Sequence, residues 1–414
     1  MLDAASPTSQ SPPFVRTPPS AETDPGVDAA PRLLEACFGG GVTPTVETVR
    51  GSIDLQAAQT HYSRGFGLLM SLRESVTVAC RPSDGSATRL VFAATSGPWT
   101  ASIDLDAVPT ELPDAPVWQQ IVHQVVRDVR QTRQNIDIAV VSSIPGTAQD
   151  AYFAALALAT AKAVGDVEEP LAAVGRISKV SADTLPSLCE MIETATRRPT
   201  SIAALIASHA NLDSPFTLVD TGTYEFLPVE TEASSALDWA VIDPGQPAPR
   251  PPEWHCSLKQ KTDDALACLR DKGFENMTSF RNVEHQDLPK AMEALPKSLR
   301  PITRHLVTEN RRVQKHVAAM RRGDWQMIGA LLLMSHASLR DQIEATTPTA
   351  DAFVEAVESL MLDGIHGACM TVRDGLILAT GRPHALDNLL ATLPDSVEDT
   401  ASRHGATLHT IRPR

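Results

Sequence analysis

Histidine and cysteine side chains, which bind zinc or act as nucleophiles, stand close together at two places in the chain. His255 is followed directly by Cys256, and His366 shortly precedes Cys369. A structural zinc site usually draws its ligands from two such pairs, and neither place has a second pair at a suitable spacing. We therefore predict structural roles for these four residues and no metal site.

Other short motifs offer little chemistry. The glycines at 39–41 precede a strand-like run without the GxGxxG spacing of a dinucleotide site, so a turn is predicted. Neither GxSxG nor GxxxxGK[ST] occurs, which removes support for an esterase-type nucleophile or a Walker-type phosphate loop. Five basic residues are predicted to share a solvent-exposed helix face, with a partner-binding surface as the alternative: Arg304, Arg311, Arg312, Lys315 and Arg321.

Composition narrows the classes of function. The 414 residues allow two or three domains, and the net charge of −14 argues against nucleic-acid binding. Six cysteines without a CxxC pair favour a reducing compartment. No apolar run is long enough to cross a membrane, and the N-terminus lacks the features of a secretory signal. We expect a cytoplasmic protein with no membrane or nucleic-acid partner.

The elements that must position any site alternate between strands and helices. Residues 1–30 are rich in proline and serine and are predicted to form a disordered tail, and the proline-rich stretch at 244–252 is predicted to be a loop between structural units. Strands are predicted at 42–49, 67–81, 88–94, 136–141, 216–220, 239–243, 368–372, 376–380 and 407–411. Helices are predicted from 33 and at 119–133, 147–164, 186–196, 201–210, 257–272, 287–294, 299–321, 324–346, 351–362 and 386–391.

The stretch 299–340 carries a family resemblance. Arg304–Val313 reads RHLVTENRRV, Gly323–Asp324 follows, and Ser335–Asp341 reads SHASLRD. This order of motifs strongly resembles the C-terminal half of galactokinases, and the similarity extends over nearly all of the chain after the tail. It implies the α+β fold of the GHMP kinases. An N-terminal S5-like α/β domain is then expected at 31–225 and a ferredoxin-like domain at 226–414, with the active site between them.

The first constellation that this family needs is its sugar-binding and catalytic segment. At the position of the family's catalytic arginine this chain has Ser52, and at the glutamate position it has Ala58. Gln59 replaces the histidine and His61 replaces the aspartate, whereas Tyr62 is kept. Sugar recognition depends on polar groups matched to hydroxyls. The resemblance therefore leaves His61 and Tyr62 as a remnant of a sugar pocket, with a solvent-facing His61 as the alternative.

The second constellation is the phosphate loop, in which small residues let backbone N–H groups approach the triphosphate at a helix N-terminus. Here the matching stretch contains Gly146, Thr147 and Asp150, and Tyr152 and Phe153 replace two of the family's serines. Thr147 and Asp150 have capping-box spacing, so we predict that the helix caps its own N-terminus. Asp150 would also place a negative charge where phosphate should bind.

The third constellation contains the catalytic aspartate of the family. In the matching stretch, 201–208, this position is Ala204 and the following glutamine is Leu205. The glycine-rich segment near the family's C-terminus is replaced by 371–375, which reads TVRDG and predicts a tight β-turn.

These replacements predict a galactokinase-like protein that has lost ATP-dependent sugar phosphorylation and works as a non-catalytic scaffold or regulator. Phosphoryl transfer relies on positioned cations and a metal ion, and several of the groups that supply them are replaced. A protein partner of unknown identity is expected, and no cofactor. One alternative is a sugar or other small-molecule sensor that uses the cleft between the domains. Another is a residual galactokinase, which would require ATP and magnesium.

Overall fold

The structure is a computed structural model that describes residues 28–56, 59–85, 87–94, 97–103, 115–129, 134–168, 184–210, 214–231, 238–243, 250–360, 363–389 and 409–411. The strands are β1 (Thr45–Gln56), β2 (Phe66–Pro82), β3 (Thr88–Ala94), β4 (Gly97–Ile103), β5 (Ile136–Ser142), β6 (Phe216–Asp220), β7 (Glu225–Pro228), β8 (Asp238–Asp243), β9 (Ile365–Met370), β10 (Ile377–Gly381) and β11 (His409–Ile411). The helices are α1 (Ala29–Phe38), α2 (Val117–Val129), α3 (Gln149–Glu168), α4 (Thr184–Thr196), α5 (Ile202–Ala210), α6 (Pro252–Arg270), α7 (Leu288–Ala294), α8 (Arg300–Arg322), α9 (Trp325–Ile343) and α10 (Pro348–Ser359).

The larger sheet is built around the long strand β2. Its strand order is β4-β3-β5-β2-β6-β7, and β1 also pairs with β2. The pairing of β1 with β2 is antiparallel and shifts register twice, between Arg50 and Ser52 and between Asp54 and Gln56. Such bulges bend a strand and redirect its side chains, and they are frequent beside functional sites.

Helices cover both faces of this sheet because its strands are apolar on both sides. Alternate residues of β5, Ile138 and Val140, belong to the main core, into which α2, α3 and α5 also pack. Their neighbours Ala139 and Val141 face the opposite way and pack with Leu34 of α1. This period of two is what a strand buried on both faces requires.

The smaller sheet has the order β11-β8-β10-β9, and α9 and α10 pack against its strand β9. The backbones of α9 and β9 approach closely at Gly329 and Gly367. A Cβ atom at Gly329 would lie 1.9 Å from the backbone oxygen of His366. Only glycine permits this approach, which fixes α9 against the sheet.

Most of the predicted elements are confirmed, with bounds that agree to within a few residues. Two strands, β4 and β7, were not predicted, β1 extends further than expected, to Gln56, and α6 begins earlier, at Pro252. The predicted tail lies outside the described residues up to 27, and α1 already begins at Ala29. Most of the predicted loop at 244–252 is also outside them. Two sheets with helices packed on them agree with the α+β class.

The predicted exposure of the basic helix face is wrong for one residue, Arg312. Arg312 is only 7% exposed and its Nε donates to Glu309 Oε2 at 2.7 Å. The helical spacing i, i+3 turns Arg312 toward the glutamate of its own helix and into the core. The other four basic residues of that face are partly or fully exposed.

The predicted domain boundary at 225 falls at the start of β7, which belongs to the larger sheet. The change from one sheet to the other lies between β7 and β8, so the division into two domains near this point stays a prediction. Within the described part of the chain, no helix is both long and apolar enough to span a membrane.

Candidate functional site

A small cavity lies where the turn between β9 and β10 meets the larger sheet. Its polar lining comes from β1, α3, α8, α9 and this turn, and includes Ser52, Asp54, Gln59, Asp150, Glu309 and Arg373. About 30 Å³ of it is open to the centres of water molecules. That volume is room for roughly two or three waters, since each needs about 10–15 Å³.

The cavity brings together the two residues that were predicted to stand at the family's catalytic positions. Ser52 and Ala204 both line it, although one is on β1 and the other on α5. Ser52 Oγ accepts a hydrogen bond from Ser208 Oγ at 3.2 Å, so its hydroxyl is engaged within the larger sheet and its helix. Neither side chain carries a charge that could act on a phosphoryl group or abstract a proton.

Four charged residues, which we call the ion cluster, lie at the N-terminus of α3: Asp150, Arg198, Arg373 and Asp374. Asp150 Oδ1 lies 3.0 Å from Arg198 Nη2, and Asp150 Oδ2 accepts from Arg373 Nε. Arg198 Nη2 also lies 3.6 Å from Asp374 Oδ1, and Arg198 Nη1 donates to the Arg373 carbonyl at 3.3 Å. All four side chains are at most 13% exposed.

The ion cluster joins the two sheets. Asp150 is in the first turn of α3 and Arg198 follows α4, and both helices pack in the core of the larger sheet. Arg373 and Asp374 belong to the β9–β10 turn of the smaller sheet, where Thr371 N donates to the Leu376 carbonyl at 2.7 Å. This tight turn confirms the turn predicted at 371–375.

The N-terminus of α3 is already occupied by an internal anion. The backbone N–H of Asp150 donates to Asp374 Oδ2 at 3.3 Å. Exposed N–H groups and the helix dipole are what a phosphate would use at this place. Here a carboxylate of the same chain uses them, and Tyr152 and Phe153 of the same helix are buried. The residues present therefore do not fit a nucleotide triphosphate.

The predicted capping box is wrong. The hydroxyl of Thr147 is buried and has no hydrogen-bond partner among the residues that the structure describes. The helix begins at Gln149, so the residue at the N-cap position is Ala148 and not Thr147. The carboxylate of Asp150 is held by Arg198 and Arg373 instead. The attraction of two guanidinium groups outweighs what one weak capping bond would give.

The protonation of the acidic groups follows from burial and from their neighbours. Burial alone would raise the pKa of Asp150, but Arg373 and Arg198 outweigh it and hold that pKa below its ordinary value. Burial, together with the charge of Asp150, raises the pKa of Asp374 to about 7. The same two causes raise the pKa of Asp54 to about 7. Two of the three carboxyl groups therefore titrate near neutral pH.

The turn after β1 holds the predicted sugar-pocket residues. Gln59 has a left-handed backbone, with φ of 69°, which is rare outside glycine and is often found at functional sites. His61 and Tyr62 follow it, and neither is among the residues that line the cavity. Burial, helped by Arg373, lowers the pKa of His61 to about 3, so its ring is neutral. Ala58 lies outside the described residues.

Several buried polar atoms at the cavity lack a hydrogen-bond partner among the described residues. We call them the open polar atoms: Asp54 Oδ1, Gln59 Oε1 and Nε2, Arg373 Nη1 and Nη2, and Asp374 Oδ1. The ring nitrogens of His61 and the hydroxyl of Tyr62 share this property nearby, again within the described part of the chain. Such groups are rare in folded proteins and call for a water, an ion or a ligand.

A second polar network lies beneath the cavity and was not predicted. Glu309 is fully buried, and its Oε1 accepts from Gln56 Nε2 at 2.5 Å and from Ser335 Oγ at 2.8 Å. Arg312 completes the set, and Gln56 Oε1 lies 3.1 Å from His316 Nδ1. Burial would raise the pKa of Glu309, but Arg312 and its other partners hold it below its ordinary value. The network ties β1 to α8 and α9.

Sequence reasoning missed Arg198, Arg373 and Glu309 as site residues. A glutamate followed by an arginine three positions later was a usable signal for Glu309. Arg198 and Arg373 gave none, because nothing local links them to Asp150. The residues at 255–256, 366 and 369 do not come together in a metal site, and no group of three or more His, Cys, Asp or Glu in the described ranges could hold a metal ion.

Comparisons with known proteins agree with the architecture. No protein-family model matches the chain. Galactokinase from Streptomyces coelicolor is 27% identical over 335 residues, which cover 78% of this chain and 80% of that protein. Galactokinase from Roseiflexus sp. is 26% identical over 324 residues, 78% of each chain. Galactokinase from Homo sapiens is 36% identical over a shorter stretch of 117 residues, 27% of this chain and 29% of that one.

Solved structures give the class. The crystal structure of Lactococcus lactis galactokinase complexed with galactose has a TM-score of 0.74 and 18% identity over 92% of this chain and 96% of that chain. Methanococcus jannaschii mevalonate kinase has a TM-score of 0.57 and 10% identity over 91% of this chain and all of that chain. The fold is therefore that of the GHMP kinases. The sequence relatives that cover most of the chain are galactokinases, which supports the predicted membership of the galactokinase family.

Proposed function

We propose that this galactokinase-like chain has lost ATP-dependent sugar phosphorylation and acts as a non-catalytic scaffold or regulator. The observation that carries this proposal is the ion cluster. Two guanidinium groups and two carboxyl groups form ion pairs with one another at the N-terminus of α3, where the fold would place nucleotide phosphates. We expect no cofactor, and ATP with magnesium only if the residual-kinase alternative holds.

Charge balance supports this proposal. Phosphoryl transfer needs positive charge and a metal ion around the transferring group. Arg198 and Arg373 are the cations at this place; Asp150 neutralises one of them, and Asp374 neutralises the other above its pKa of about 7. A triphosphate would have to displace two buried carboxylates before it met any favourable field. Within the described residues, no group of acidic side chains stands ready to hold a metal ion in their place.

The residues at the two predicted catalytic positions also support a loss of catalysis. Ser52 is uncharged and hydrogen-bonded to Ser208, and Ala204 has no functional group. Loss of one electrostatic group commonly costs a factor on the order of 10²–10³ in rate. The loss of an arginine and of an aspartate, added to a blocked phosphate position, would take turnover below detection.

The test is an ADP-formation assay on the full chain with ATP, magnesium and galactose, beside thermal stability with the same ligands. Galactokinase from Streptomyces coelicolor serves as the positive control. We expect no ADP above the buffer rate and no shift of Tm with ATP–magnesium. A ligand at 100 times its dissociation constant adds about 2.7 kcal/mol of stability, so binding would be visible. ADP that depends on galactose would establish the residual kinase instead.

A second candidate function is a small-molecule sensor. The observation that favours it is the set of open polar atoms, together with the neutral His61 and the buried Tyr62 at the position of the family's sugar pocket. A rise of Tm with galactose or another sugar alone, without ADP formation, would support the sensor. No shift with any sugar would leave the scaffold or regulator.

The proposal includes a cytoplasmic location and a protein partner, without membrane or nucleic-acid contact. All six cysteines lie in described residues and none forms a disulfide there, which suits a reducing compartment. Fractionation of cells that express the tagged full chain tests the location, and recovery in the membrane fraction would contradict it.

A further inference from the structure

We propose that the cavity binds the carboxylate group of a small organic acid, held by Arg373 and Gln59. The inference goes beyond the proposed function. It rests on that function in one respect, because a nucleotide bound at this place would exclude the acid. It starts from Arg373, which lines the cavity and is 3% exposed. Its Nε is used by Asp150, whereas Nη1 and Nη2 have no hydrogen-bond partner in the described part of the chain.

Gln59 supplies the second half of the site. It also lines the cavity, is 1% exposed, and finds no partner for either amide atom among the described residues. Its backbone is held in the left-handed region, so the chain accepts a strained residue to keep this side chain inside. A buried amide and a buried guanidinium end together present N–H donors in excess of acceptors.

The geometry of the donors selects the ligand group. The two Nη atoms of an arginine form a planar fork that matches the two oxygens of a carboxylate. Gln59 Nε2 can donate to one of the same oxygens, and Asp54 adds an acceptor or, when protonated, a donor. A ligand with two coplanar oxygens supplies acceptors for the donors among the open polar atoms, Arg373 Nη1 and Nη2 and Gln59 Nε2.

The size of the cavity limits the ligand. About 30 Å³ is open to water centres, room for roughly two or three waters. A formate or acetate ion can take the place of these waters, whereas the ring of a sugar exceeds the volume.

The charges around Arg373 set the dependence on pH. The titratable and charged groups that face it from the surrounding elements are Asp54, His61, Tyr62, Asp150, Cys189, Arg198, His255, Glu309 and Asp374. His61 and His255 are neutral because burial lowers the pKa of each to about 3. Tyr62 and Cys189 are neutral because burial raises their pKa values, and Glu309 is balanced by Arg312.

The net charge of the remaining groups changes sign near neutral pH. Arg198 and Arg373 are positive and Asp150 is negative throughout. Asp54 and Asp374 are neutral below their pKa of about 7 and negative above it. The site therefore carries a net charge of +1 at low pH and −1 at high pH, so a monoanion should bind at pH 6 and be repelled at pH 8.

Formate and acetate are the probes for the test. We measure Tm of the full chain against sodium formate and sodium acetate at pH 6 and pH 8, with sodium chloride at the same ionic strength as reference. We expect a saturable rise of Tm at pH 6 and an affinity at least tenfold lower at pH 8. Phosphate at equal concentration is the comparison for selectivity, and a rise of Tm as large as that with formate would overturn the assignment of a carboxylate.

Two variants make the test specific. Gln59→Leu replaces the amide with an apolar side chain of similar volume and should abolish the formate effect, whereas Arg340→Met, at an exposed ion pair, should leave it unchanged. Carbon-13 formate NMR gives a second readout, line broadening that disappears in Gln59→Leu. If formate and acetate act no differently from chloride at pH 6, ordered waters fill the cavity and the proposal is overturned.

Equal responses at pH 6 and pH 8, or in Gln59→Leu and the parent chain, would also overturn the proposal, since they would indicate non-specific binding. The ADP assay reads out the proposed function separately. A kinase-active chain that binds formate would refute the non-catalytic role alone, and an inactive chain without formate binding would refute the acid site alone.

Discussion

Removing Arg373 from the ion cluster should destabilise the protein strongly. Arg373→Met keeps much of the side-chain volume but leaves the carboxylate of Asp150 buried with Arg198 as its one remaining cation in the cluster. Breaking a buried pair by deleting one partner costs about 3–5 kcal/mol. Asp150→Asn should cost a similar amount, because it leaves two buried guanidinium groups with one carboxylate between them.

The double variant separates the pair from its surroundings. Asp150 and Arg373 are in direct contact, so the combined loss should be smaller than the sum of the single losses by about 1–3 kcal/mol. Arg340→Met is the matched control, because its pair with Asp341 is 43% and 60% exposed. Exposed pairs contribute about 0–1 kcal/mol.

The assay is urea unfolding followed by circular dichroism at pH 7, with the free energy of unfolding extrapolated to water. Hydrogen exchange of the amides at 371–376 adds a local readout and should accelerate in Arg373→Met. A loss below about 1 kcal/mol, equal to that of Arg340→Met, would refute the reasoning. The cluster would then not hold the two sheets together.

Three further predictions concern single residues. Relative to the parent chain, Asp54→Asn should gain about 3 kcal/mol of stability as the pH rises from 5 to 8. The reason is that a carboxyl with a raised pKa of about 7 contributes stability at low pH that is lost as the pH rises through 7. A difference between the two chains that does not depend on pH in urea titrations would contradict this. Gly329→Ala should lower the free energy of unfolding by at least about 3 kcal/mol, since its Cβ would lie 1.9 Å from a backbone oxygen of the facing strand. The control is Gly146→Ala, whose Cβ would have nothing within 4 Å and which should change the stability by no more than about 0.5 kcal/mol in thermal unfolding. Glu309→Gln should cost about 2–4 kcal/mol because it leaves a buried guanidinium without its charge partner, and a neutral result in urea unfolding would show that the network under the cavity is not strongly coupled.

Local sequence patterns predict elements where one physical signal dominates. The strand Thr88–Ala94 has the predicted bounds, and the apolar run at 136–141 forms β5. The short strand β7 was missed because its four residues are mostly exposed and give no alternating pattern. Its place is set by β6, with which it pairs, and such pairing is a property of the tertiary structure.

The site was less predictable than the fold. Ser52 and Ala204 could be placed at family positions, and the structure brings both to one cavity. Arg373 reads in the sequence as one residue of a turn, 223 positions from its partner Asp150. No local propensity encodes a contact between residues so far apart. Only the packing of the smaller sheet against α3 creates it.

Asp150 shows how the structure changes the meaning of a residue. From sequence it is a charge that would repel phosphate, but two arginines neutralise it in the structure. The carboxylates of Asp150 and Asp374 take the place of a bound anion, so the contact between α3 and the β9–β10 turn forms without a ligand. Separating α3 from the β9–β10 turn would break two ion pairs that are buried between the sheets, Asp150 with Arg373 and Arg198 with Asp374. A contact between the sheets that forms without a ligand would suit the fixed arrangement of surfaces that the proposed scaffold needs.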